Sequence, residues 1–97
     1  MVLRYTWSAR KNETNIRKHG ISFVDAVRIF ETAIVETIDD REDYGETRIQ
    51  AIGLLEGKEI YLVYVDEDEE TRRVISARKA ERHERQAYWE TLARTQR

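Results

Sequence analysis

The sequence contains no cysteine and no proline, and it holds only two histidines, four glycines and one methionine. Without cysteine the chain can form neither a disulfide, nor a thiolate nucleophile, nor a cysteine-based zinc site. The two histidines, His19 and His83, lie 64 positions apart, so a metal site would have to be built from carboxylates. No apolar run approaches a membrane span and no signal peptide opens the chain, so we expect a cytoplasmic protein without a membrane partner.

Ninety-seven residues, of which 40% are hydrophobic and 37% charged, suit a single domain spanning residues 1–97. The net charge of -2 hides a strong segregation of charge along the chain. Residues 1–30 carry a net charge of +4, residues 31–70 carry -11, and residues 71–97 carry +5. If the two basic ends meet in space, they form a basic surface suited to an anionic partner; otherwise the charges serve solubility alone.

Local patterns predict the order strand, helix, helix, four strands and a final helix. Gly20 is expected to end the first helix, and Ser22 to cap a second helix that buries Phe23 and Phe30. Four consecutive strands with short turns predict an antiparallel meander with the helices packed on it, an α+β fold. The strands are expected at residues 3–7, 33–38, 47–55, 59–65 and 72–78, and the first and last helices at 9–19 and 79–94.

Arginines dominate the last predicted strand and helix. Strand alternation predicts that Arg73 and Arg78 point to opposite faces and therefore do not share one site. Helical spacing predicts that Arg78, Arg82 and Arg85 form one basic ridge near the N-terminal end of the last helix. The backbone is already electropositive there, so such a ridge costs stability and creates an anion site. Ion pairs with neighbouring glutamates are the alternative interpretation.

Three further side chains are candidates for proton transfer. Glu84 is a carboxylate whose pKa partial burial could tune, although a salt bridge would explain it as well. Tyr88 lies one helical turn further on and is either an acid or a core aromatic. His19, at the end of the first helix, is either a general base or a cation that stabilises the helix dipole.

Three blocks of sequence together resemble the BrnT-type toxins. The blocks cover nearly the whole chain, from about residue 5 to residue 88, and they are specific in combination. The chain differs from the pattern at Ser8, at Glu31-Thr32 and in the acidic turn 66–70. The matching residues are Trp7, Lys11, Asn15, Lys18-His19-Gly20, Phe23, Ala26 and Phe30, then Gly45-Glu46 and Arg48, and finally Ile75-Ser76-Ala77-Arg78, Ala80, Glu84-Arg85 and Tyr88.

The resemblance implies a ribonuclease toxin of a type II toxin–antitoxin pair, with a RelE-like fold, that blocks translation by degrading RNA. It implies a BrnA-type antitoxin as partner, a 2:2 complex, and contact with operator DNA only through that antitoxin. RNA can be cut without metal or cofactor when its own 2′-OH attacks the adjacent phosphate. A preorganised arginine cluster would stabilise the negative charge that develops on the phosphate oxygens.

On this hypothesis Arg78 and Arg85 stabilise the phosphate, with Arg48 and Arg73 as further candidates. Glu84 is the first candidate for the general base and Tyr88 an accessory or acid. The residues expected to bind substrate are Arg82, Lys18 and His19.

Three other classes of function stay open. The same arginines could bind an acidic partner in a non-catalytic interaction module. A DNA-binding regulator is a further possibility, but no helix-turn-helix spacing supports it. A metal-dependent nuclease would have to use the carboxylates of Asp39, Asp40, Asp43 and Glu46, whose sequence is typical of a solvated loop.

Overall fold

The computed structural model describes residues 3–95 and shows a five-stranded sheet with helical segments packed against it. In residues 3–95, no helix is both long and apolar enough to cross a membrane. The strands are β1 Arg4–Thr6, β2 Val35–Asp39, β3 Arg48–Leu55, β4 Lys58–Asp66 and β5 Thr71–Lys79; the helices are α1 Ala9–His19, α2 Phe23–Ala26 and α3 Arg82–Thr95, and a 3-10 helix spans Val27–Glu31.

Capping residues define both ends of α1, of which the end at Gly20 is predicted from the sequence and the cap at Ser8 is not. The Ser8 side chain accepts a hydrogen bond from the backbone N–H of Lys11 at 3.3 Å and starts the helix. Gly20 adopts a left-handed conformation with φ 71°, and its N–H donates to the Ile16 carbonyl at 2.8 Å. Glycine adopts this conformation without the steric cost of a Cβ, so the predicted end of the helix is confirmed.

The predicted second helix is shorter than expected. Ser22 caps α2 by accepting from the N–H of Asp25, but the α-helix ends at Ala26 and continues as a 3-10 helix. The Thr32 side chain closes this segment by donating to the Ile29 carbonyl at 2.6 Å. Phe23 and Ala26 reach the core, as the spacing predicts, but Ile29 is fully buried in place of Phe30, which is only partly buried. Three residues per turn in the 3-10 helix bring Ile29 rather than Phe30 into line with Ala26.

The sheet has the order β1-β5-β4-β3-β2 and is mixed rather than a purely antiparallel meander. The four strands β2 to β5 pair antiparallel in sequence order, as predicted. The strand β1, however, lies parallel to β5, with Arg4 opposite Thr71. The helical segments carry the chain from β1 at one edge to β2 at the other, so β1 joins the sheet as a separate strand.

A β-bulge changes the orientation of side chains along β5. Val63 pairs with Ser76, but the next residue of β4, Tyr64, pairs with Val74, so Ile75 is an extra residue without its own partner. The alternation predicted from the sequence is therefore wrong across this strand. Val74 and Ala77, which were expected on opposite faces, both lie in the main core.

The core lies between the sheet and the α2 and 3-10 segments. Gly53 in β3 permits the close approach of this layer. A Cβ at that position would lie 2.6 Å from Ile34 Cδ1 and 2.9 Å from Ile29 Cβ. Only glycine fits there without displacement of the 3-10 segment. The largest fully buried side chains are Tyr64, Tyr88, Phe23, Ile29, Leu62 and Val74.

Candidate functional site

Three arginines share the sheet face opposite the main core, which we term the arginine face: Arg48, Arg73 and Arg78. Tyr61 pairs with Arg78 and Val65 with Arg73. Tyr61 and Val65 are four positions apart in β4, so their side chains lie on the same side of the sheet. The side chains of their partners, Arg78 and Arg73, lie on that side as well. The expectation that Arg73 and Arg78 point to opposite faces is therefore wrong, and the bulge at residue 75 is the reason.

Arg78 belongs to β5 and not to the last helix, which begins three residues later than predicted. Its guanidinium carbon lies 4.1 Å from the centroid of the Tyr61 ring. Its Nη1 and Nη2 donate to the two carboxylate oxygens of Glu84 at 2.8 and 2.9 Å. Nη1 also donates to the Lys79 carbonyl at 3.1 Å. The hydrogen bonds to Glu84 raise the pKa of Arg78, which keeps the guanidinium charged.

Arg73 and Arg48 share one carboxylate. Arg73 Nη2 donates to Glu46 Oε2 at 2.5 Å, and its Nε donates to Glu67. Arg48 Nη2 lies 3.6 Å from Glu46 Oε1, and its guanidinium carbon lies 4.0 Å from the centroid of the Tyr44 ring. The Nε of Arg48 is buried and has no hydrogen-bond partner in the part of the chain that the structure describes. A buried donor without a partner is uncommon and lowers the stability of the fold.

A fourth arginine, Arg41, is held by a buried carboxylate next to the arginine face. The Asp39 side chain is only 1% exposed, and Arg41 Nε and Nη2 donate to its two oxygens, each at 2.8 Å. The Tyr44 hydroxyl donates to the same carboxylate at 3.3 Å. The hydrogen bonds from Arg41 lower the pKa of Asp39 to about 2, against the opposing effect of burial.

We expect Asp39 to titrate near pH 2 in the unmodified protein, and Arg41→Ala to raise this pKa above the ordinary value. The folded pKa lies below the unfolded one, so the pair stabilises the fold above about pH 4. This contribution is lost as the pH falls toward 2. Solvent screens the exposed guanidinium, which limits the contribution to about 1–2 kcal/mol. NMR titration of the carboxyl carbon and thermal melts at stepped pH measure both effects.

Arg28→Ala is the matched control for this experiment. Arg28 Nη1 lies 3.7 Å from Glu56 Oε1, and both side chains are at least half exposed. The substitution should leave the Asp39 titration and the pH dependence of stability unchanged. A midpoint near pH 4 for Asp39 in the unmodified protein would contradict the proposed strength of the Arg41 contact.

Arg82 and Arg85 do not join the arginine face. Both line a shallow groove with Glu59 and Trp89 on one side of α3, whereas Glu84 lies on the opposite side of that helix. Arg85 Nη1 donates to the Ala80 carbonyl at 2.8 Å. The predicted ridge of three arginines is wrong, because Arg78 is on a strand and the other two face away from it.

Glu84 and Tyr88 occupy positions that limit their use as a base and an acid. Both oxygens of Glu84 accept from Arg78, and Oε1 also accepts from the N–H of Glu81 at 2.7 Å. Burial raises the pKa of Glu84, but these hydrogen bonds outweigh burial and the pKa is lowered overall. Tyr88 is fully buried, its hydroxyl donates to the Ala33 carbonyl at 2.9 Å, and burial raises its pKa.

Lys18 and His19 lie in a second basic region, which we term the α1 groove. This groove of about 300 Å³ runs between α1 and β5, and Ser76 connects it to the arginine face. Within residues 3–95 its basic side chains form no ion pair with a carboxylate. These basic side chains are Arg10, Lys11, Lys18 and His19.

The acidic residues predicted as an alternative metal site are engaged elsewhere. Asp39 binds Arg41, Glu46 binds Arg73, and Asp43 accepts from the N–H of Gly45 at 3.0 Å. In residues 3–95 one group of possible ligands is found, in which atoms of Glu81, His83 and Glu84 lie within 4.8 Å of one another. The carboxylates of Glu81 and Glu84 already face Arg78, whose positive charge disfavours binding of a metal cation there.

Sequence reasoning missed the contributions of Arg41, Tyr61 and Lys11 to these surfaces. Arg41 lies within a run of acidic residues, and its pairing with Asp39 depends on the end of β2. Tyr61 is one of six consecutive buried residues in β4, so no pattern marks its face. Lys11 could have been found, since it precedes Lys18 by seven positions and so shares its side of α1.

The mixed sheet, the arginine face and the α1 groove together define a small α+β protein with an extended cationic surface. Residues 7–84 match the family model described as "Ribonuclease toxin, BrnT, of type II toxin-antitoxin system". The chain belongs to this family of ribonuclease toxins, and the resemblance in the sequence is confirmed.

A solved structure supports the same assignment. The chain is similar to the ribonuclease toxin BrnT of Brucella abortus, seen in a crystal structure at 1.1 Å resolution. The two share 28% sequence identity and a TM-score of 0.64, over 84% of this chain and 100% of that one. No curated protein matches the chain. The RelE-like label for the fold stays a prediction.

Proposed function

We propose that this toxin is a metal-independent endoribonuclease that cleaves RNA by attack of a 2′-OH on the adjacent phosphate. The observation that carries the proposal is the placement of Arg48, Arg73 and Arg78 on one sheet face beside the α1 groove. The 2′-O–P bond forms and the P–O5′ bond breaks, which leaves a 2′,3′-cyclic phosphate and a 5′-hydroxyl. The guanidinium groups stabilise the charge that develops on the phosphate oxygens.

Arg78 is the principal phosphate ligand in this proposal. The Glu84 carboxylate binds the Nη1 and Nη2 end of the Arg78 guanidinium group. Its Nε and the second Nη2 proton form a second edge with two parallel donors, for which no hydrogen bond is found among residues 3–95. The exposed Glu81 carboxylate lies 3.7 Å from Nη2 and competes with a phosphate for this edge. A phosphate accepts such a pair of donors well. Glu84 is then a positioning residue, because its ion pair fixes the orientation of Arg78 before substrate binds.

Proton transfer requires a base other than Glu84, whose oxygens are already hydrogen-bonded. His83 is our candidate, since a ring nitrogen lies within 4.8 Å of the carboxylates of Glu81 and Glu84. In the proposed step it accepts the proton of the attacking 2′-OH, and the departing 5′-oxygen takes up a proton in turn. Tyr88 contributes packing rather than chemistry, because its hydroxyl is buried against the Ala33 carbonyl.

The α1 groove supplies the path for the flanking RNA backbone. Its basic side chains have no carboxylate partner in residues 3–95, so phosphate groups can pair with them directly. Lys18 and His19 are substrate-binding residues in this proposal, as predicted, and Lys11 joins them. Arg82 and Arg85 lie on the far side of α3 and are assigned no part in cleavage.

The antitoxin partner of this toxin is, in our proposal, a BrnA-type protein that forms a 2:2 complex and carries the contact with operator DNA. Within the acidic segments 39–46 and 66–70, exposed carboxylates that form no ion pair among residues 3–95 provide a surface for a basic stretch of that antitoxin. They include Asp40, Glu42, Glu69 and Glu70. Expression of the chain should arrest growth, and the co-encoded antitoxin should relieve the arrest.

The test is cleavage of a synthetic RNA by the purified protein in EDTA, beside the same oligonucleotide with 2′-deoxyribose throughout. We expect cleavage of the RNA alone, with cyclic phosphate ends detected by mass spectrometry. The deoxy oligonucleotide lacks the attacking hydroxyl and should stay intact. Cleavage that requires added magnesium, or products with 5′-phosphate ends, would contradict the proposed mechanism.

A non-catalytic interaction module is the second candidate function. One observation favours it, namely that Arg41, Arg73 and Arg78 each already bind a carboxylate. Such pairs can hold a surface together without chemistry. A folded protein that binds RNA or antitoxin but leaves RNA intact with and without ribosomes would support this alternative.

A further inference from the structure

We propose that the groove between α3 and the arginine face is a nucleobase-binding site that selects the base beside the cleaved phosphate. This inference rests on the proposed ribonuclease function and adds the site that would determine sequence preference. The groove, termed the α3 groove, has a volume of about 280 Å³. That is slightly below the usual size of sites for drug-sized ligands, which suits a single planar ring system.

The floor of the α3 groove is a flat apolar surface. Val35 pairs with Ile52, and Ile52 pairs with Tyr61, so these side chains form one row across three strands. Ala87 of α3 forms the opposite wall, and its small side chain leaves the gap open. Tyr61 itself is only 5% exposed and lies under the Arg78 guanidinium, so the half-buried Val35 and Ile52 form the accessible part of the floor. A base bound here would lie between these aliphatic side chains and Ala87.

Polar groups are confined to the ends of this groove. At one end the Thr37 hydroxyl donates to the side-chain oxygen of Gln50 at 3.3 Å, and Gln50 in turn contacts Asp39. His83 and Thr91 project from α3 about one turn before and one turn after Ala87, so they are about 12 Å apart and flank the groove wall on both sides. Hydroxyl and amide groups can donate and accept, so they can read the edge of a base lying on the floor. An apolar floor with few polar groups at its ends is typical of a selective ligand site.

The position of the α3 groove beside Arg78 indicates that the ligand of this groove is a nucleotide. Arg78 lies over the Tyr61 ring and binds Glu84, and both of these residues also line the groove. A phosphate on the free edge of Arg78 is therefore beside the groove opening. A nucleotide supplies both parts at once, a phosphate for the arginine and a planar base for the apolar floor. A purely apolar ligand would leave the cationic opening unmatched.

The experiment uses 2′-deoxy dinucleotides, which carry a phosphate and two bases but cannot be cleaved. Each is compared with the matching dinucleotide that has one base replaced by hydrogen. We expect NMR shifts at backbone amides of Ile52, Tyr61 and Ala87, and about 10-fold weaker binding of the abasic probe. One of the four bases should bind more tightly than the others, and Gln50→Leu should reduce that preference.

Ala87→Trp fills the groove and should weaken dinucleotide binding by about 10-fold. Gln86→Trp is the matched control, because this neighbour lies on the opposite side of α3 and should leave binding unchanged. Circular dichroism verifies that both variants fold. Equal binding of abasic and complete dinucleotides, or normal binding by Ala87→Trp, would overturn the proposal. Because binding needs no cleavage, the nucleobase site can stand if the ribonuclease mechanism fails, and the reverse also holds.

Discussion

Arg78→Ala should reduce RNA cleavage by roughly 10²–10³-fold, if the arginine stabilises the reacting phosphate. Some loss of stability is also expected, because the largely buried Glu84 carboxylate loses its partner. The loss of activity is expected mainly in kcat, since the extra charge on the phosphate oxygens exists only in the transition state. Arg78→Lys should restore little activity, because an ammonium group cannot hold both Glu84 oxygens and offer two parallel donors to a phosphate. Single-turnover cleavage of a defined RNA in EDTA measures the effect.

The control for this prediction is Arg28→Ala, which removes one exposed arginine remote from the arginine face. It should cleave RNA at the rate of the unmodified protein, and an equal loss in both variants would point to a general effect of charge. Glu84→Gln separates positioning from base catalysis. If Glu84 only orients Arg78, the variant is slower but retains the pH–rate profile, whereas loss of one limb of the profile would identify Glu84 as the base.

Asn15→Leu should lower the free energy of unfolding by about 3–5 kcal/mol. Asn15 is 6% exposed and joins α1 to the edge of β5. Its side-chain nitrogen donates to the carbonyls of Ile21 and Ala77 at 2.9 and 2.8 Å, and its oxygen accepts from the Ala77 N–H at 3.1 Å. Leucine would leave these buried backbone groups unpaired, and denaturant unfolding measures the cost.

Two further substitutions make this prediction specific. Asn15→Asp keeps the acceptor oxygen but loses the two donated bonds, so it should destabilise strongly at neutral pH although its size is unchanged. Glu13→Leu places the same leucine on the exposed side of α1 and should change stability by less than about 0.5 kcal/mol. A mild effect of Asn15→Leu would mean that water replaces the lost bonds.

Features controlled by neighbouring residues could be predicted from the sequence. Gly20 and Ser22 act through hydrogen bonds within a few residues, and the structure confirms both predicted caps. The hairpin of β3 and β4 was also predictable, since Glu56 and Gly57 form its turn with φ values of 51° and 79°. These local signals carry little information about which distant strands pair.

Features controlled by distant contacts could not be predicted. The parallel pairing of β1 with β5 joins Arg4 to Thr71, and nothing in a three-residue strand specifies its direction. The prediction places Arg78 at the end of a strand but also counts it in one ridge with Arg82 and Arg85 of the helix. Pairing with Tyr61 holds Arg78 in β5 and separates it from that ridge. The partners Asp39 and Glu46 come from the β2–β3 connection, where an acidic run looks like a solvated loop.

The extra residue at Ile75 makes the surface chemistry of β5 depend on residue count as well as residue type. With the present spacing of five positions, Arg73 and Arg78 would lie on opposite sides of the sheet if the strand had no bulge. Deletion of one residue here would remove the bulge and keep both arginines on one side, so their spacing in the sequence can change by one without a change of face. When this toxin is aligned with others of its family, each β5 residue should be matched by the β4 residue with which it pairs. Matching by sequence distance from α3 would align residues whose side chains lie on different faces of the sheet.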